Sequence, residues 1–294
     1  MDPARGRHPS RSGDRHPSRS GERTAAGRAS DVCLDGGATR HRAQRVSARG
    51  EQTASEQHRG RGEPVSVDPL GQFLADNRYP GRGVLWARTR AGELVGGYFL
   101  TGRSPASQAR RLHFEDERLI VSPTDETAHD PLRHYAAAIE DERWLVFGNG
   151  EQVSTVADRL AAGEAPAVAL DRLEYEPDPP ILTSRITVIA DLADPGTACL
   201  GAARRSAGAR EAGNLVTVTV RDLAPGDVVL MTTYRSDGGT VLPAEPYAEA
   251  TTEAADAAGF LDEIWRALTP ELRVAAAAFT PGRLTGAALR HRTD

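Results

Sequence analysis

The sequence predicts a domain of the α+β class, in which antiparallel sheets are covered by a few helices. Segments rich in β-branched and aromatic residues outnumber segments with helical periodicity. The predicted strands follow one another in adjacent runs, which argues against a doubly wound parallel sheet with strict alternation. These patterns begin only near residue 66, so the first 65 residues form a separate region.

The N-terminal region has a composition typical of disordered chains. Residues 1–65 contain 13 Arg and 8 acidic residues but no Phe, Tyr or Trp. Such a segment cannot bury enough apolar area to offset the entropy lost on folding. It also holds a near-repeat, RHPSRSGD at 7–14 and RHPSRSGE at 15–22. We predict a disordered Arg-rich tail over residues 1–65 and a single domain over residues 66–294.

Composition also narrows the function classes. All 36 basic residues are Arg and the formal net charge is −5, so the domain after the basic tail is acidic. An acidic domain argues against a nucleic-acid interface, although RNA binding by the tail remains an alternative. Cys33 and Cys199 supply neither a disulfide framework nor a metal motif. The chain has no long apolar run and no signal-peptide core, so we expect a cytoplasmic protein without a membrane partner.

The first elements of the domain follow from local patterns. DPLGQFLADN reads as a short helix. GVLWAR at 83–88 and LVGGYFLTG at 94–102 flank TRAGE and predict a hairpin. RLIVSP at 118–123 is another predicted strand. In HDPLRHYAAAIED, Asp130 as N-cap and Pro131 at the first helical position predict a helix that carries Tyr135 on its apolar face.

The middle and C-terminal elements are mostly strands. WLVFG at 144–148 predicts a strand, Asn149-Gly150 a turn, and the residues from Val153 to Gly163 a helix. Backbone N–H groups at such a helix start can hold an anion, although many such turns bind nothing. RITVIADL, NLVTVTV and DVVLMTTY predict strands, and FLDEIWRAL predicts a helix. RVAAAAF fits a strand or a helix.

Three segments are candidates for a functional site, and the predicted helix that carries Arg133 and Tyr135 is one of them. A predicted strand ends in GRSPASQARR, whose Arg and Ser residues suit a phosphate-bearing small molecule, with a solvated loop as the alternative. LEYEPDPPILTSRI places Glu176 near Arg185, and a buried Glu beside an Arg can act as an acid or base. A rigid turn is the alternative there. The sequence has no phosphate-loop, nucleophile-elbow or zinc motif, so we expect no metal or cofactor.

These segments, in this order, resemble the archaeal-type inosine monophosphate (IMP) cyclohydrolase family. The resemblance covers most of residues 79–240 and is carried by YPGRG, RSPASQAR, YAAAIEDERWLVFGNGEQVSTVADRLAAG, YEPDPPILTSRI and MTTYRSD. It implies a hydrolase of cyclic amidine C–N bonds that runs in the ring-closing direction. Its substrate would be 5-formamidoimidazole-4-carboxamide ribotide (FAICAR), which it converts to IMP and water in purine biosynthesis. The implied fold is the four-layered αββα sandwich of N-terminal-nucleophile hydrolases, without self-processing.

The resemblance also implies site residues. The segment that ends at Arg110 is about two residues longer than in archaeal members, and a lysine expected later has no counterpart in this Lys-free chain. The implied catalytic residues are Arg110, Tyr135 and Glu176. The implied ligand-binding residues are Arg103, Ser104, Asn149, Gly150 and Arg185.

Each of these residues also has a structural explanation. Tyr135 could belong to the core, Arg110 and Arg111 could form a solvated pair, and Glu176 could cap a turn. Alternative functions are a non-catalytic purine-nucleotide-binding protein and an amide hydrolase on the same fold. The hydrolase needs a Cys, Ser or Thr as a new N-terminus, and residues 83–86 offer none. The expected partner is a small purine ribotide, and the sequence leaves a homo-oligomer open.

Overall fold

The computed structural model describes residues 67–125, 130–206 and 210–294. These residues form two large antiparallel sheets, a small two-stranded sheet and a few short helices. The α+β class predicted from the sequence is therefore confirmed. The predicted tail over residues 1–65 lies outside the described residues and stays a prediction, as does the domain boundary. None of the helices in the described ranges has the length and apolarity needed to cross a bilayer.

The elements are numbered along the chain. The helices are α1 (Leu70–Asp76), α2 (Pro105–Gln108), α3 (Gln152–Ala161), α4 (Pro166–Leu170) and α5 (Ala257–Ala267), with a 3-10 turn at Leu284–Gly286. The first eight strands are β1 (Arg82–Arg88), β2 (Leu94–Thr101), β3 (Arg110–Glu115), β4 (Arg118–Pro123), β5 (Tyr135–Glu140), β6 (Trp144–Gly148), β7 (Arg185–Asp191) and β8 (Thr197–Arg204). The others are β9 (Asn214–Arg221), β10 (Asp227–Thr232), β11 (Tyr234–Ser236), β12 (Val241–Pro243), β13 (Ala248–Thr251), β14 (Arg273–Phe279) and β15 (Ala288–His291).

The two large sheets differ in connectivity. The first has the strand order β13-β10-β1-β2-β14-β15, so it combines strands that are distant along the chain. The second has the order β3-β4-β5-β6-β7-β8-β9, in which each strand pairs with its neighbour in sequence. In the first sheet, a Cβ at Gly96 would lie 2.3 Å from the Phe279 ring. Only a glycine at position 96 therefore leaves room for the Phe279 ring.

The main core lies between the two sheets. Trp86 and Tyr98 of the first sheet share one apolar cluster with Phe147 and Val188 of the second. The Phe147 and Phe279 rings meet edge to face at 5.1 Å between centroids. A second cluster joins α1 and α5 to the first sheet, and a third joins α3 and α4 to the second sheet. Helices thus cover the face of each sheet that points away from the central core.

Most predicted elements are confirmed. The elements that lie where the sequence predicted them are the short helix α1, the β1–β2 hairpin, the strand–turn–helix unit of β6 and α3, the strands β4, β7, β9 and β10, and the helix α5. The segment RVAAAAF, which fitted a strand or a helix, is the strand β14.

The predicted helix after Asp130 is wrong, because residues 135–140 form the strand β5. Asp130 does begin a turn, in which the Leu132 N–H donates to Asp130 Oδ1 at 2.9 Å. The turn does not continue, since β5 hydrogen-bonds to both β4 and β6. A register shift opposite Leu119 and Ile120 accommodates an extra residue in β5. Sheet pairing thus outweighs the helix propensity of the alanine-rich segment.

Candidate active site

A cavity of about 410 Å³ lies where β1, the end of β2 and the start of β3 meet the loop between α4 and β7. Its wall contains four residues predicted for the site, and it lacks the other four. Those in the wall are Arg103, Ser104, Arg110 and Glu176. Those outside it are Tyr135, Asn149, Gly150 and Arg185.

Arg110 begins β3 and is only 8% exposed. Its Nε donates to the Ser107 carbonyl oxygen at 2.8 Å, and its Nη2 donates to the Thr101 carbonyl oxygen at 3.1 Å. Burial, with the positive charge of Arg82 nearby, lowers the pKa of Arg110. Arg111 is exposed, so the two arginines do not form a solvated pair. Neutral carbonyl groups orient the Arg110 guanidinium without neutralising it.

Glu176 forms a buried ion pair with Arg82 in the cavity wall. Its Oε2 lies 2.7 Å from Arg82 Nη2, and the two residues are 2% and 8% exposed. Burial raises the pKa of Glu176, and the positive charge of Arg82 opposes this effect. The Glu176 N–H donates to the Thr183 carbonyl oxygen at 2.8 Å, so the loop folds back on itself. Glu176 is held as an oriented carboxylate and does not cap a turn.

The charges buried in the cavity wall do not balance. Arg82 and Arg110 are buried cations, whereas Glu176, which pairs with Arg82, is the buried acidic residue of the wall. Asp130 and Asp178 also line the cavity, but they are partly exposed and screened by water. A buried excess of positive charge favours an anionic ligand or a transition state in which negative charge develops.

Tyr135 lies in β5 beside this cluster. Its hydroxyl oxygen is 2.9 Å from that of Tyr98 in β2, so a hydrogen bond joins the two sheets within the core. Tyr135 is 5% exposed and packs in the central cluster, as its structural explanation proposed. It also interacts electrostatically with Arg82 and Arg110, which line the cavity. Its core position and its place beside the site are therefore compatible.

Asn149 and Gly150 form the turn before α3, behind Glu176. Asn149 is fully buried, its Nδ2 donates to the Ser184 carbonyl oxygen at 2.9 Å, and its Oδ1 accepts from the Ile186 N–H at 2.7 Å. A Cβ at Gly150 would lie 3.4 Å from Glu176 Oε1. The turn thus connects β6 to the start of β7 and contacts the back of the carboxylate.

Arg185 is also directed away from the cavity. Its Nη2 donates to Glu151 Oε1 at 2.7 Å, next to the Asn149-Gly150 turn. Arg185 still lowers the pKa of Glu176 through its charge, as a smaller contribution than that of Arg82. The structure therefore places Arg185 where it can influence Glu176 but not where it lines the cavity.

Arg103 and Ser104 lie at the cavity mouth. The Arg103 guanidinium carbon is 4.6 Å from the centroid of the Tyr79 ring, and Tyr79 stacks on Tyr234 at 5.6 Å. Ser104 caps α2, because its Oγ accepts from the Ser107 N–H at 3.2 Å. Both residues are exposed, so they can reorient toward a ligand.

The residue-level prediction missed Arg82, Tyr98 and Tyr234. Arg82 and Tyr234 lie in YPGRG and MTTYRSD, and both line the cavity. Burial raises the pKa of Tyr234 to about 12, and its hydroxyl is hydrogen-bonded to Thr183. A charged residue directly before the apolar run GVLW was the signal for Arg82. Tyr98 looks like any core residue of a strand, and its partner Tyr135 is 37 positions away.

The chemistry available in this cavity is acid–base and electrostatic. Across the described ranges, no group of three or more His, Cys, Asp or Glu side chains is arranged to hold a metal ion. A buried carboxylate, two buried guanidiniums and a neighbouring phenol can move a proton and stabilise a developing negative charge.

Comparisons with known proteins bear on the same region. The family model described as IMP cyclohydrolase-like protein matches residues 79–282. The match includes every residue placed in or beside the cavity above. No curated protein sequence matches the chain.

Proposed function

The chain belongs to the IMP cyclohydrolase-like protein family, and from this we propose that it closes the purine ring of FAICAR to give IMP and water. The observation that carries the proposal is the cavity wall in which buried Arg110 lies near the buried Arg82–Glu176 pair. The expected chemistry needs a group that accepts a proton and a positive charge that stabilises an oxygen.

Ring closure is an intramolecular reaction. The carboxamide nitrogen attacks the formyl carbon and loses one proton, so that a C–N bond forms. The formamide nitrogen then loses its proton as the C–O bond breaks, and the formyl oxygen leaves as water with two protons. Both reacting groups are attached to one imidazole ring, so positioning is the larger task of the protein. The amide is a weak nucleophile that must lose a proton, and the formyl oxygen gains negative charge during the attack.

Glu176 is the proposed acceptor of the carboxamide proton. Arg82 binds its Oε2 and so fixes the orientation of the carboxylate. The raised pKa of Glu176, caused mainly by burial, makes it a stronger base than an exposed glutamate. The Asn149-Gly150 turn, which the resemblance implied as a ligand-binding element, instead supports this carboxylate from behind.

Arg110 is the proposed stabiliser of the formyl oxygen. Two backbone carbonyl groups hold its Nε and Nη2, whereas Nη1 has no hydrogen-bond partner among the described residues. Nη1 is thus available to a ligand without rearrangement of the side chain. Tyr135 would donate its hydroxyl proton to the same oxygen, and the carboxamide proton taken up by Glu176 would be the second proton of the departing water. Tyr135 would regain a proton from the formamide nitrogen.

Arg103 and Ser104 are the proposed contacts of the 5′-phosphate. They lie at the mouth of the cavity, where a guanidinium and a hydroxyl can bind phosphate oxygens. The imidazole ring would then extend inward toward Glu176 and Arg110.

The remaining proposals follow from family membership. We infer that the two sheets with their outer helices are the four-layered αββα sandwich of N-terminal-nucleophile hydrolases. The reaction, placed in cytoplasmic purine biosynthesis, would need no cofactor, and the ribotide would be the partner. The tail would be dispensable for ring closure.

The direct test is an ultraviolet assay of the full chain with freshly made FAICAR and a control without protein. We expect IMP to form at a rate proportional to protein, and Arg110→Ala, Tyr135→Phe and Glu176→Gln to lose turnover while remaining folded. Arg143→Ala, which removes an exposed arginine outside the cavity, is the matched control and should keep full activity.

Other outcomes would distinguish the alternatives. Binding of IMP without conversion of FAICAR would indicate a non-catalytic nucleotide-binding protein. Loss of an N-terminal segment in the intact mass, exposing a Cys, Ser or Thr, would indicate an amide hydrolase. Full activity in all three site variants would contradict the residue assignment.

A further inference from the structure

We propose that Tyr98 is a positioning residue: its hydroxyl donates a hydrogen bond to the Tyr135 hydroxyl and so directs the Tyr135 proton toward the ligand. This inference rests on the proposed function, because it concerns how Tyr135 becomes a hydrogen-bond donor in the same site. Nothing in the sequence pattern distinguishes Tyr98 from a core tyrosine.

The hydroxyl groups of Tyr98 and Tyr135 carry two protons between them. The two hydroxyl oxygens are 2.9 Å apart, and either one could donate. Neither hydroxyl has another hydrogen-bond partner within the described parts of the chain. Only one of the two protons can lie in the hydrogen bond between the hydroxyl groups, so the other proton must point elsewhere.

Burial decides which hydroxyl donates. Tyr98 is 0% exposed, so no solvent can accept its proton, whereas Tyr135 retains 5% exposure. A buried polar group without a partner is unfavourable, so the Tyr98 proton occupies the shared hydrogen bond. Burial also raises the pKa of Tyr98 well above its usual range, so Tyr98 keeps this proton.

The Tyr135 proton then needs an acceptor outside the pair. Arg82 and Arg110, which interact with Tyr135, carry only donors and cannot accept it. Solvent at its exposed edge can accept this proton in the free protein, and an oxygen atom of a ligand in the adjoining cavity would accept it in the complex. In the proposed reaction, this is the formyl oxygen that leaves as water.

The fold holds Tyr98 rigidly in this role. Tyr98 lies in the middle of β2, opposite Val84 of β1 on one side and Ala277 of β14 on the other. Paired strands on both sides limit movement of its backbone, and the central core surrounds its ring. A donor fixed in one sheet thus orients a hydroxyl that belongs to the other sheet.

The test is a double-mutant cycle on FAICAR turnover with the full chain. We expect Tyr98→Phe to lower kcat about tenfold with KM changed by less than about twofold, since one hydrogen bond made through Tyr135 is lost. Tyr135→Phe should lower kcat further, and adding Tyr98→Phe to it should have little additional effect. The proposal would be overturned if the loss of kcat in the double variant equals the product of the two single losses, or if Tyr98→Phe has the wild-type kcat.

Thr252→Val is the matched control for loss of a buried hydroxyl. Thr252 is 1% exposed and its hydroxyl donates to Glu263, outside the cavity. This variant should lose thermal stability without losing kcat. Equal loss of kcat in Thr252→Val and Tyr98→Phe would show that stability alone explains the effect, and would overturn the positioning role.

The same cycle separates this inference from the proposed function. If the wild-type chain binds FAICAR but does not close it, the proposed function fails, and the cycle is measured as Kd for FAICAR. The role of Tyr98 would be supported if Tyr98→Phe raises the Kd for FAICAR in the wild-type background but does not change it in the Tyr135→Phe background. Unchanged Kd, or no FAICAR binding by the wild-type chain, would overturn it.

Discussion

Two Arg–Glu pairs of the molecule make the same contact in opposite surroundings. Arg82 and Glu176 pair within the cavity wall, with side chains 9% and 3% exposed. Arg90 and Glu253 pair at the surface, with side chains 47% and 80% exposed. The pKa of Glu176 is raised by burial, whereas the pKa of Glu253 is lowered by the hydrogen bond from Arg90. Burial, not the contact itself, turns one of these glutamates into a candidate base.

The largest effect is expected when the buried pair loses one partner. Arg82→Met leaves the Glu176 carboxylate buried without its counter-ion, which should cost about 3–5 kcal/mol of unfolding free energy and nearly all turnover. Denaturant unfolding and the FAICAR assay measure the two effects. The double variant Arg82→Met/Glu176→Leu should regain stability but not activity. Equal stability of Arg82→Met and the wild-type chain would contradict a charged pair.

Replacing the buried carboxylate should mainly affect catalysis. Glu176→Gln keeps the shape of the side chain but removes the proton acceptor, so we expect kcat to fall about 100-fold or more. Glu253→Gln is the matched control at the surface pair and should keep full turnover. Circular dichroism verifies that both variants are folded. A Glu176→Gln variant with at least half of wild-type kcat would exclude Glu176 as the base.

The pH dependence should differ between the two glutamates. Because the Glu176 pKa is raised, the acid limb of the kcat/KM profile should lie above the ordinary glutamate range near pH ~4.3. The folded state binds the Glu176 proton more tightly than the unfolded state does. The contribution of Glu176 to stability is therefore present below the ordinary glutamate pKa and decreases as the pH rises from there through the raised pKa. Glu253, with its lowered pKa, has the opposite sign: its contribution is present at higher pH and is lost on acidification. A profile whose acid limb lies in the ordinary glutamate range would contradict a raised pKa.

The smallest effect is expected at the surface pair. Arg90→Ala removes an exposed ion pair that water and salt already screen. We expect unchanged turnover and a Tm within measurement error of the wild-type value, at both low and high salt. A salt-dependent drop in Tm larger than that of Arg82→Met would reverse the comparison.

The sequence predicted the α+β class and most elements because strand and helix patterns are local. It missed the strand β5, because an alanine-rich segment after Asp130 and Pro131 has the local pattern of a helix, and only pairing with β4 and β6 decides otherwise. The structure brings only some of the residues predicted for the site to one cavity. Arg110 and Glu176 do share a cavity, but Asn149 and Gly150 lie behind it. The roles of Arg82 and Tyr98 depend on contacts between distant segments, which local patterns do not encode.

The different connectivity of the two sheets has a consequence for how the chain acquires its structure. The seven-stranded sheet joins neighbours in sequence, so it can form from short-range contacts as the chain emerges from the ribosome. The six-stranded sheet places β1 and β2 between β10 and β14, so the early hairpin lacks both neighbouring strands until much later synthesis. Since Arg82 and Tyr98 lie in that hairpin, the candidate site should assemble last, and a nascent chain that ends before β14 should lack the proposed activity.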